Sequence, residues 1–254
     1  MNRERKIKRH AIRNAKKYSK EMKQFKEKYP KCIIFDDIKR EDKNNSKGFY
    51  SCNRQDYIIY TNFFSKKEDG IFFDVGGNLP INCNNTMYFE EIGWSGYAIE
   101  PLPSMKTLWD KHRKATFFPF GASEKQSELL LSVVESNNGT SFIKETKEKA
   151  PAYRRNSKTM DIIIKVIPLK NIFKKEGITH IDYMSIDIEG HELKALKGID
   201  FNKIRINVLT IENLTSSAYG DDEVRDVMLK NNYIFWGRIG IIDDIYVHKE
   251  FLNS

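Results

Sequence analysis

The stretch FFDVGGN, residues 72–78, joins an apolar run to an acid and a glycine turn. Aromatic and β-branched residues favour a strand, and consecutive glycines let the backbone turn sharply and approach a ligand closely. A strand that delivers Asp74 into Gly76, Gly77 and Asn78 therefore predicts a ligand pocket at the strand end. The alternative is an ordinary strand-to-helix corner, in which Asp74 caps the following helix.

From residue 71 onwards, apolar runs alternate with amphipathic segments. Strands are predicted at 71–75, 96–100, 115–120, 128–134, 181–188, 206–212 and 243–249. Helices are predicted at 84–92, 103–113, 190–197 and 221–231. Strands that alternate with helices imply crossover connections and a sheet covered on both sides. The sequence therefore predicts an α/β fold of the Rossmann-like kind, with a mostly parallel sheet and helices on both faces.

Polar residues follow several predicted strands at the point where each strand ends. Ligands of open parallel sheets bind outside these carboxyl ends. Glu100 ends the second predicted strand, where an acid is placed to accept hydrogen bonds from ribose hydroxyls. The residues at the other strand ends are Gly121, Ala122, Ser123, Asp187, Glu189, Glu212 and Asn213. Helix capping alone does not explain the whole set, so we expect one binding site along this edge of the sheet.

The glycine turn favours S-adenosylmethionine over a dinucleotide. It lacks the G-x-G-x-x-G pattern, because Leu79 and Pro80 occupy the place of the third glycine. An acid at the first strand end repels a pyrophosphate but suits a cofactor that bears an amine. A nucleotide-dependent oxidoreductase on the same fold is the disfavoured alternative.

Several motifs resemble those of the FkbM-type methyltransferases. The matching motifs are FFDVGGN, GWSGYAIEP, FGASE, IDYMSIDIEGHELKALKGIDF and LTIEN, within about residues 70–250. The resemblance implies a Rossmann-like class I methyltransferase fold with S-adenosylmethionine as cofactor. It also implies O-methylation of a hydroxyl on a sugar, a glycan or a glycosylated small molecule. The methionine end of the cofactor is expected beside Asp74, Gly76 and Asn78.

Carried onto this chain, the resemblance implies a set of cofactor contacts. The expected contacts are Asp74, Gly76, Gly77, Asn78, Thr86, Glu100, Ala122, Ser123 and Asp187. Glu100 is expected to hold the ribose, and Ala122 with Ser123 to border the adenine. Gly77 departs from the alanine that the family usually carries in this turn.

Methyl transfer to a sugar hydroxyl needs a base or a metal ion to help remove the proton. His191 is the predicted base, since its unperturbed pKa lies near neutrality, and Asp187 is predicted to act beside it. The alternative for His191 is an exposed residue in a first helical turn. Asp187, Glu212 and Asn213 form an all-oxygen set suited to Mg²⁺ or Ca²⁺. This arrangement is similar to that of catechol-type O-methyltransferases and predicts a divalent cation that holds vicinal hydroxyls and lowers the pKa of one.

The net charge of +8 comes from the N-terminal segment. Residues 1–28 carry twelve Lys/Arg against three Glu, and the remaining body is close to neutral. This distribution argues against a nucleic-acid partner. An apolar stripe at helical spacing predicts an amphipathic helix and consists of Ala11, Ala15, Tyr18, Met22, Phe25 and Tyr29. The stripe is expected either to pack on the protein's own body or to dock on a membrane surface or a partner.

Three segments are predicted: a basic amphipathic helix over 1–30, an accessory segment over 31–69 and a methyltransferase domain over 70–254. No stretch approaches the roughly 20 apolar residues of a membrane-spanning helix, and no secretory signal is expected. The three cysteines match no metal-ligand spacing and are expected to be reduced thiols. The sequence thus predicts a cytoplasmic protein that contacts a membrane surface peripherally through residues 1–28.

Two further functional classes remain open. The basic start suggests a nucleic-acid methyltransferase, but the chain has no Pro-Pro loop of the kind that amino-methylating enzymes carry after the fourth strand. A non-catalytic module that binds S-adenosylmethionine or a nucleotide is the other alternative, since a fold alone does not prove activity.

Overall fold

The computed structural model describes residues 20–35, 48–135, 138–145, 156–214 and 219–253. The strands are β1 (Ile33–Phe35), β2 (Ile71–Val75), β3 (Ser95–Ile99), β4 (Thr116–Phe118), β5 (Gly121–Ala122), β6 (Ser127–Val134), β7 (Phe142–Ile143), β8 (Thr159–Ile167), β9 (His180–Ile186), β10 (Arg205–Glu212), β11 (Tyr233–Ile239) and β12 (Asp243–His248). The helices are α1 (20–28), α2 (Gln55–Ile59), α3 (Met87–Glu91), α4 (Pro103–His112), α5 (Leu169–Glu176), α6 (Glu192–Lys197), α7 (Asp222–Lys230) and α8 (Lys249–Leu252). Every strand and helix that the sequence predicts from residue 71 onwards has a counterpart here, with ends that differ by a few residues. The helix predicted over 1–30 is described at 20–28, and its first 19 residues lie outside the described residues.

Eight strands form the main sheet in the order β1-β11-β12-β10-β9-β2-β3-β4. β2 pairs in parallel with β3 and β9, and β10 extends this run beside β9. β4 and β1 also pair in parallel with their neighbours, whereas β12 is antiparallel to β10 and β11. The expectation of a mostly parallel sheet is therefore confirmed in part. The central parallel run brings the carboxyl ends of β3, β2, β9 and β10 to one edge.

A second sheet has four strands in the order β5-β8-β6-β7. β6 is antiparallel to β7 and β8, and the long ladder joins Ser127–Val134 to residues 159–166. The sequence predicts the strand at 128–134 but not its separation from the main sheet. Alternation of apolar residues identifies a half-buried strand without identifying which partner it pairs with.

Helices cover both faces of the main sheet. Successive side chains of a strand point to opposite faces, so Phe72 and Phe73 of β2 enter different cores. Phe72 lies in a cluster with Ile58 of α2 and Phe89 of α3. Phe73 lies in the other cluster, where Phe173 of α5 contacts it edge-on with ring centroids 5.4 Å apart. Burial on both sides explains why β2 is a nearly continuous apolar run.

The described part of the N-terminal stripe packs on the protein's own body. Phe25 is buried and stacks on Tyr219 with ring centroids 4.9 Å apart, and the guanidinium of Arg225 lies 5.2 Å from the Phe25 ring centroid. Tyr29 donates a hydrogen bond to Asp222 at 2.6 Å. Ala11, Ala15 and Tyr18 lie outside the described residues. Within those residues, no helix combines the length and the apolar character that a bilayer crossing requires.

A disulfide joins Cys52 to Cys83. The expectation of reduced thiols is therefore wrong for these two residues, and Cys32 is the free cysteine, partly buried. The pairing connects residues that are 31 positions apart and that lie in different predicted segments. The spacing of the two cysteines along the sequence does not predict this pairing, because the fold brings them together. The segment boundaries at 30 and 69 stay predictions.

Candidate functional site

The glycine turn after β2 lies directly against the loop after β9. Gly76 has φ +89°, and a Cβ added there would lie 1.9 Å from the carbonyl oxygen of Asp187. The Gly76 amide donates to the carbonyl oxygen of Ile99 at 2.9 Å, and the Asp187 amide donates to that of Val75 at 2.9 Å. The ends of β3, β2 and β9 thus form one continuous surface, which requires glycine at position 76.

A pocket that opens to solvent lies beside this surface. Its polar side is lined by Gly76, Asn78, Glu100 and Asp187. Its apolar side is built by all four strands of the second sheet, through Gly121, Ala122, Leu131, Ile143, Ile164 and Val166. The second sheet is therefore the apolar wall of the pocket. A ligand with a flat apolar group and a hydroxyl-bearing group suits such a division.

Glu100 is buried at the polar side, immediately after β3. One carboxyl oxygen accepts a hydrogen bond from the Leu102 amide at 2.8 Å, and the other accepts one from the Asn78 amide at 3.1 Å. Burial raises the pKa of the Glu100 carboxyl to about 7, although these two hydrogen bonds act in the opposite direction. Each carboxyl oxygen has a second lone pair, so the group can also accept hydrogen bonds from ligand hydroxyls.

Asp74 and Thr86 lie beneath the glycine turn and not on the pocket wall. Asp74 accepts hydrogen bonds from Thr86 Oγ1 at 2.9 Å and Asn84 Nδ2 at 3.0 Å. Arg113 donates to Asn84 Oδ1 at 3.0 Å and to the Pro80 carbonyl oxygen at 2.8 Å. Burial raises the pKa of Asp74, and the charge of Arg113 opposes that shift. This network holds the loop after the turn, and the direct cofactor contacts of Asp74 and Thr86 stay predictions.

Gly77 and Asn78 rest on the indole of Trp109. Trp109 Nε1 donates to the Asn78 carbonyl oxygen at 2.8 Å, and a Cβ at Gly77 would lie 2.6 Å from the indole ring. Asn78 Oδ1 is buried and has no hydrogen-bond partner among the described residues. A buried amide oxygen is normally paired, so a ligand that donates a hydrogen bond here would be stabilised.

His191 borders the pocket next to Ser123. Its Nε2 lies 3.1 Å from Ser123 Oγ, and the side chain is buried, with 7% of its surface exposed. Burial lowers the pKa of His191 to about 4, and the charge of Lys194 lowers it further while that of Glu124 opposes the shift. The imidazole is therefore neutral near pH 7. Its side chain is not the exposed one of the alternative interpretation, and its role as a base stays a prediction.

Three carboxylates converge at the ends of β9 and β10. Asp187, Glu189 and Glu212 place one oxygen each within 4.8 Å of the others. Asn213, expected in this group, is directed elsewhere: its Nδ2 donates to the Asp221 carbonyl oxygen at 2.9 Å and to Asp244 at 2.8 Å. The structure thus brings together two of the three expected metal ligands and adds Glu189.

Gln55 and Asp243 were not anticipated from the sequence. Gln55 Nε2 donates to the Asp243 carboxyl at 2.8 Å, and both side chains are buried. Burial raises the pKa of Asp243 to about 8, and the nearby Asp187 raises it further. The accessory segment therefore reaches the acidic group through α2. No local motif marks Gln55, since its importance depends on a contact 188 residues away.

The strand order and the pocket together define an α/β protein with a pocket outside the carboxyl ends of its parallel strands, at the glycine turn. Residues 74–235, more than half of the chain, match the Methyltransferase FkbM domain, and the chain belongs to that family. Family membership identifies it as a methyltransferase of the class I fold and implies the use of S-adenosylmethionine. No curated protein and no solved structure matches the chain.

Proposed function

We propose that the protein transfers a methyl group from S-adenosylmethionine to a hydroxyl of a sugar, a glycan or a glycosylated small molecule. The observation that carries the proposal is the pair formed by Gly76 and Glu100 at one side of the pocket. The glycine turn allows the methionine part to approach the backbone, and the Glu100 carboxylate suits the two ribose hydroxyls. The apolar wall opposite suits the adenine.

The order of the strands supports one arrangement of the cofactor and the acceptor along this edge of the sheet. The strands β3, β2, β9 and β10 are neighbours in that order, and their carboxyl ends carry Glu100, Gly76, Asp187 and Glu212. If the ribose lies beside Glu100, the reactive methyl group lies near Asp187, and the acceptor approaches from the side of β10. A second pocket, bordered by Gly190 and Glu212, lies on that side.

Asp187 is the proposed proton acceptor. When bound, S-adenosylmethionine supplies an electrophilic methyl group. The Asp187 carboxylate would accept the proton that the acceptor hydroxyl loses when its oxygen takes up that methyl group. Positioning supplies much of the rate in such an in-line transfer. His191 is not assigned to this step, because its Nε2 is already paired with Ser123 Oγ.

Substituting Glu100→Gln is expected to weaken binding of S-adenosylmethionine by about 10- to 100-fold, the loss of hydrogen bonds to a charged group. Isothermal titration of S-adenosylmethionine into the wild-type and variant proteins measures this. Glu128→Gln, an exposed acid on β6, is the matched control and should bind normally. A wild-type protein that binds no S-adenosylmethionine would remove the proposed function and favour a module that binds another ligand.

We also propose a metal-assisted form of the reaction, in which Asp187, Glu189 and Glu212 hold a divalent cation beside the acceptor and the cation, in place of the Asp187 carboxylate, promotes loss of the hydroxyl proton. Three carboxylates offer the hard oxygen ligands that Mg²⁺ and Mn²⁺ prefer, and a cation there would lower the pKa of an adjacent hydroxyl.

With Mn²⁺ as the probe, Glu212→Gln is expected to weaken ion binding by about tenfold or more, measured by electron paramagnetic resonance. The control is Glu128→Gln, the exposed acid on β6. Equal Mn²⁺ affinities in the two variants would contradict the proposal.

A further inference from the structure

The disulfide between Cys52 and Cys83 joins the accessory segment to the loop that follows the glycine turn. We infer that this bridge is a redox-sensitive switch of the site, and that its reduction frees the loop and weakens binding of the cofactor. The inference rests on the proposed function, because it concerns the regulation of the same site. It assigns a role to the accessory segment, which the proposed chemistry leaves unused.

One end of the bridge is fixed on the folded body. Asp56 of α2 is buried and accepts hydrogen bonds from the Tyr50 amide at 2.6 Å and the Ser51 amide at 3.1 Å. The helix α2 in turn packs into one core of the main sheet. The residues that precede Cys52 are therefore held in place, and the bridge holds Cys83 close to them.

The other end of the bridge lies in an unfavourable backbone conformation. Cys83 has φ +54°, a left-handed value that is costly for any residue with a Cβ. Asn78, at the start of the same loop, has φ +37°. Such conformations persist only where the surrounding structure imposes them. Reduction of the bridge removes one of the links that impose the conformation of Cys83, so the loop then relaxes.

Cys83 directly precedes the residue that holds the glycine turn. Asn84 Nδ2 donates to Asp74 Oδ2 at 3.0 Å, to the Gly77 carbonyl oxygen at 3.1 Å and to the Leu79 carbonyl oxygen at 3.2 Å. A change of the backbone at Cys83 therefore displaces the amide that holds this turn. Because the turn borders the pocket, a loop that samples other conformations must be ordered again when the cofactor binds, which lowers the affinity.

The bridge is accessible to a dithiol reductant. Cys52 and Cys83 are both exposed, and exposed disulfides are the ones that thiolates attack readily. The sulfur–sulfur bond breaks and each cysteine sulfur takes up one proton, while the dithiol loses two electrons and two protons and becomes a disulfide. Cys32 does not compete in this exchange, because burial raises the pKa of its thiol to about 12.

The test measures the affinity of the wild-type protein for S-adenosylmethionine by isothermal titration, before and after reduction with dithiothreitol. Reduction is expected to weaken binding by about tenfold, the factor that corresponds to the cost of one left-handed residue. Reoxidation with glutathione disulfide is expected to restore the affinity. The double variant Cys52→Ser, Cys83→Ser is expected to bind as weakly as the reduced protein under both conditions, and Cys32→Ser, the matched control, to keep the full response.

Thiol titration of the denatured protein checks the bridge itself. One thiol is expected before reduction and three after it. Three thiols before reduction, or equal affinities for S-adenosylmethionine in the two states, would overturn the inference. Should the double variant fail to fold, the oxidised and reduced wild-type proteins give the same comparison.

Hydrogen exchange without ligand separates a failure of the switch from a failure of the proposed function. Amides at 77–86 are expected to exchange about tenfold faster after reduction, whereas those of β10 exchange at the same rate. Equal exchange at 77–86 in both states, or equally faster exchange in β10, contradicts the switch. A wild-type protein that binds no S-adenosylmethionine in either state contradicts the proposed function, and the exchange at 77–86 then decides the role of the bridge.

Discussion

Asp244→Asn is expected to lower the free energy of unfolding by about 3–5 kcal/mol, the range for a buried charge that loses its partner. Asp244 is fully buried and accepts a hydrogen bond from Arg225 Nε at 3.0 Å; Arg238 Nη1 also donates to its carboxylate. Asparagine keeps the shape of the side chain but removes the charge, so two buried guanidinium groups lose their common counter-ion. Urea denaturation followed by circular dichroism measures the change.

The control for this prediction is an exposed ion pair. Asp110 accepts a charged hydrogen bond from Lys106 at 2.7 Å, with about half of each side chain exposed. Asp110→Asn is expected to cost less than about 1 kcal/mol, because water already screens the pair. Similar losses of stability for Asp244→Asn and Asp110→Asn would show that the buried network contributes no more than a surface pair.

Gly76→Ala is expected to lower the free energy of unfolding by about 2–5 kcal/mol and to abolish cofactor binding. A left-handed backbone costs alanine about 1–2 kcal/mol, and an overpacked site costs about 1–3 kcal/mol more. The added Cβ meets the carbonyl oxygen of Asp187, a residue whose backbone is held in place because its amide donates to the Val75 carbonyl oxygen. The ends of β2 and β9 must therefore separate. Thermal unfolding and titration of S-adenosylmethionine report the two effects.

Gly177→Ala is the matched control for the backbone conformation. Gly177 caps α5 with φ +68°, and a Cβ there would have nothing within 4 Å. Its substitution is expected to cost about 1 kcal/mol and to leave cofactor binding unchanged. Equal free energies of unfolding for the two alanine variants would show that the close approach of the two loops does not contribute to the cost of Gly76→Ala.

The sequence alone predicts the parts of the site that depend on local chemistry. A strand that ends in a glycine turn predicts the position of Gly76, and a second strand that ends in an acid predicts Glu100. Both residues line the pocket, because parallel strands bring their carboxyl ends to one edge. Asp187 and Glu212 are close together for the same reason.

The remaining parts depend on contacts between distant residues. Asn213 lies beside Glu212 at the end of β10. Its side-chain amide, however, donates hydrogen bonds to Asp221 and to Asp244, the latter 31 residues away. Asp74 also fits the motif. Its carboxyl, however, accepts hydrogen bonds from Thr86 and Asn84 and therefore lies beneath the turn. A motif gives the place of a residue along the edge. The direction of its side chain depends on which neighbours compete for its hydrogen bonds.

The bridge between Cys52 and Cys83 has a consequence for the unfolded chain. It closes a loop of 31 residues, and such a covalent loop removes many conformations that the open chain would sample. In the chain-entropy description this raises the free energy of unfolding by about 2–4 kcal/mol. The gain arises from the restricted unfolded chain and not from a contact in the folded protein. The loop carries Gln55 near one end and the glycine turn at 76–78 near the other, so the bridge confines both α2 and the turn even before either has folded.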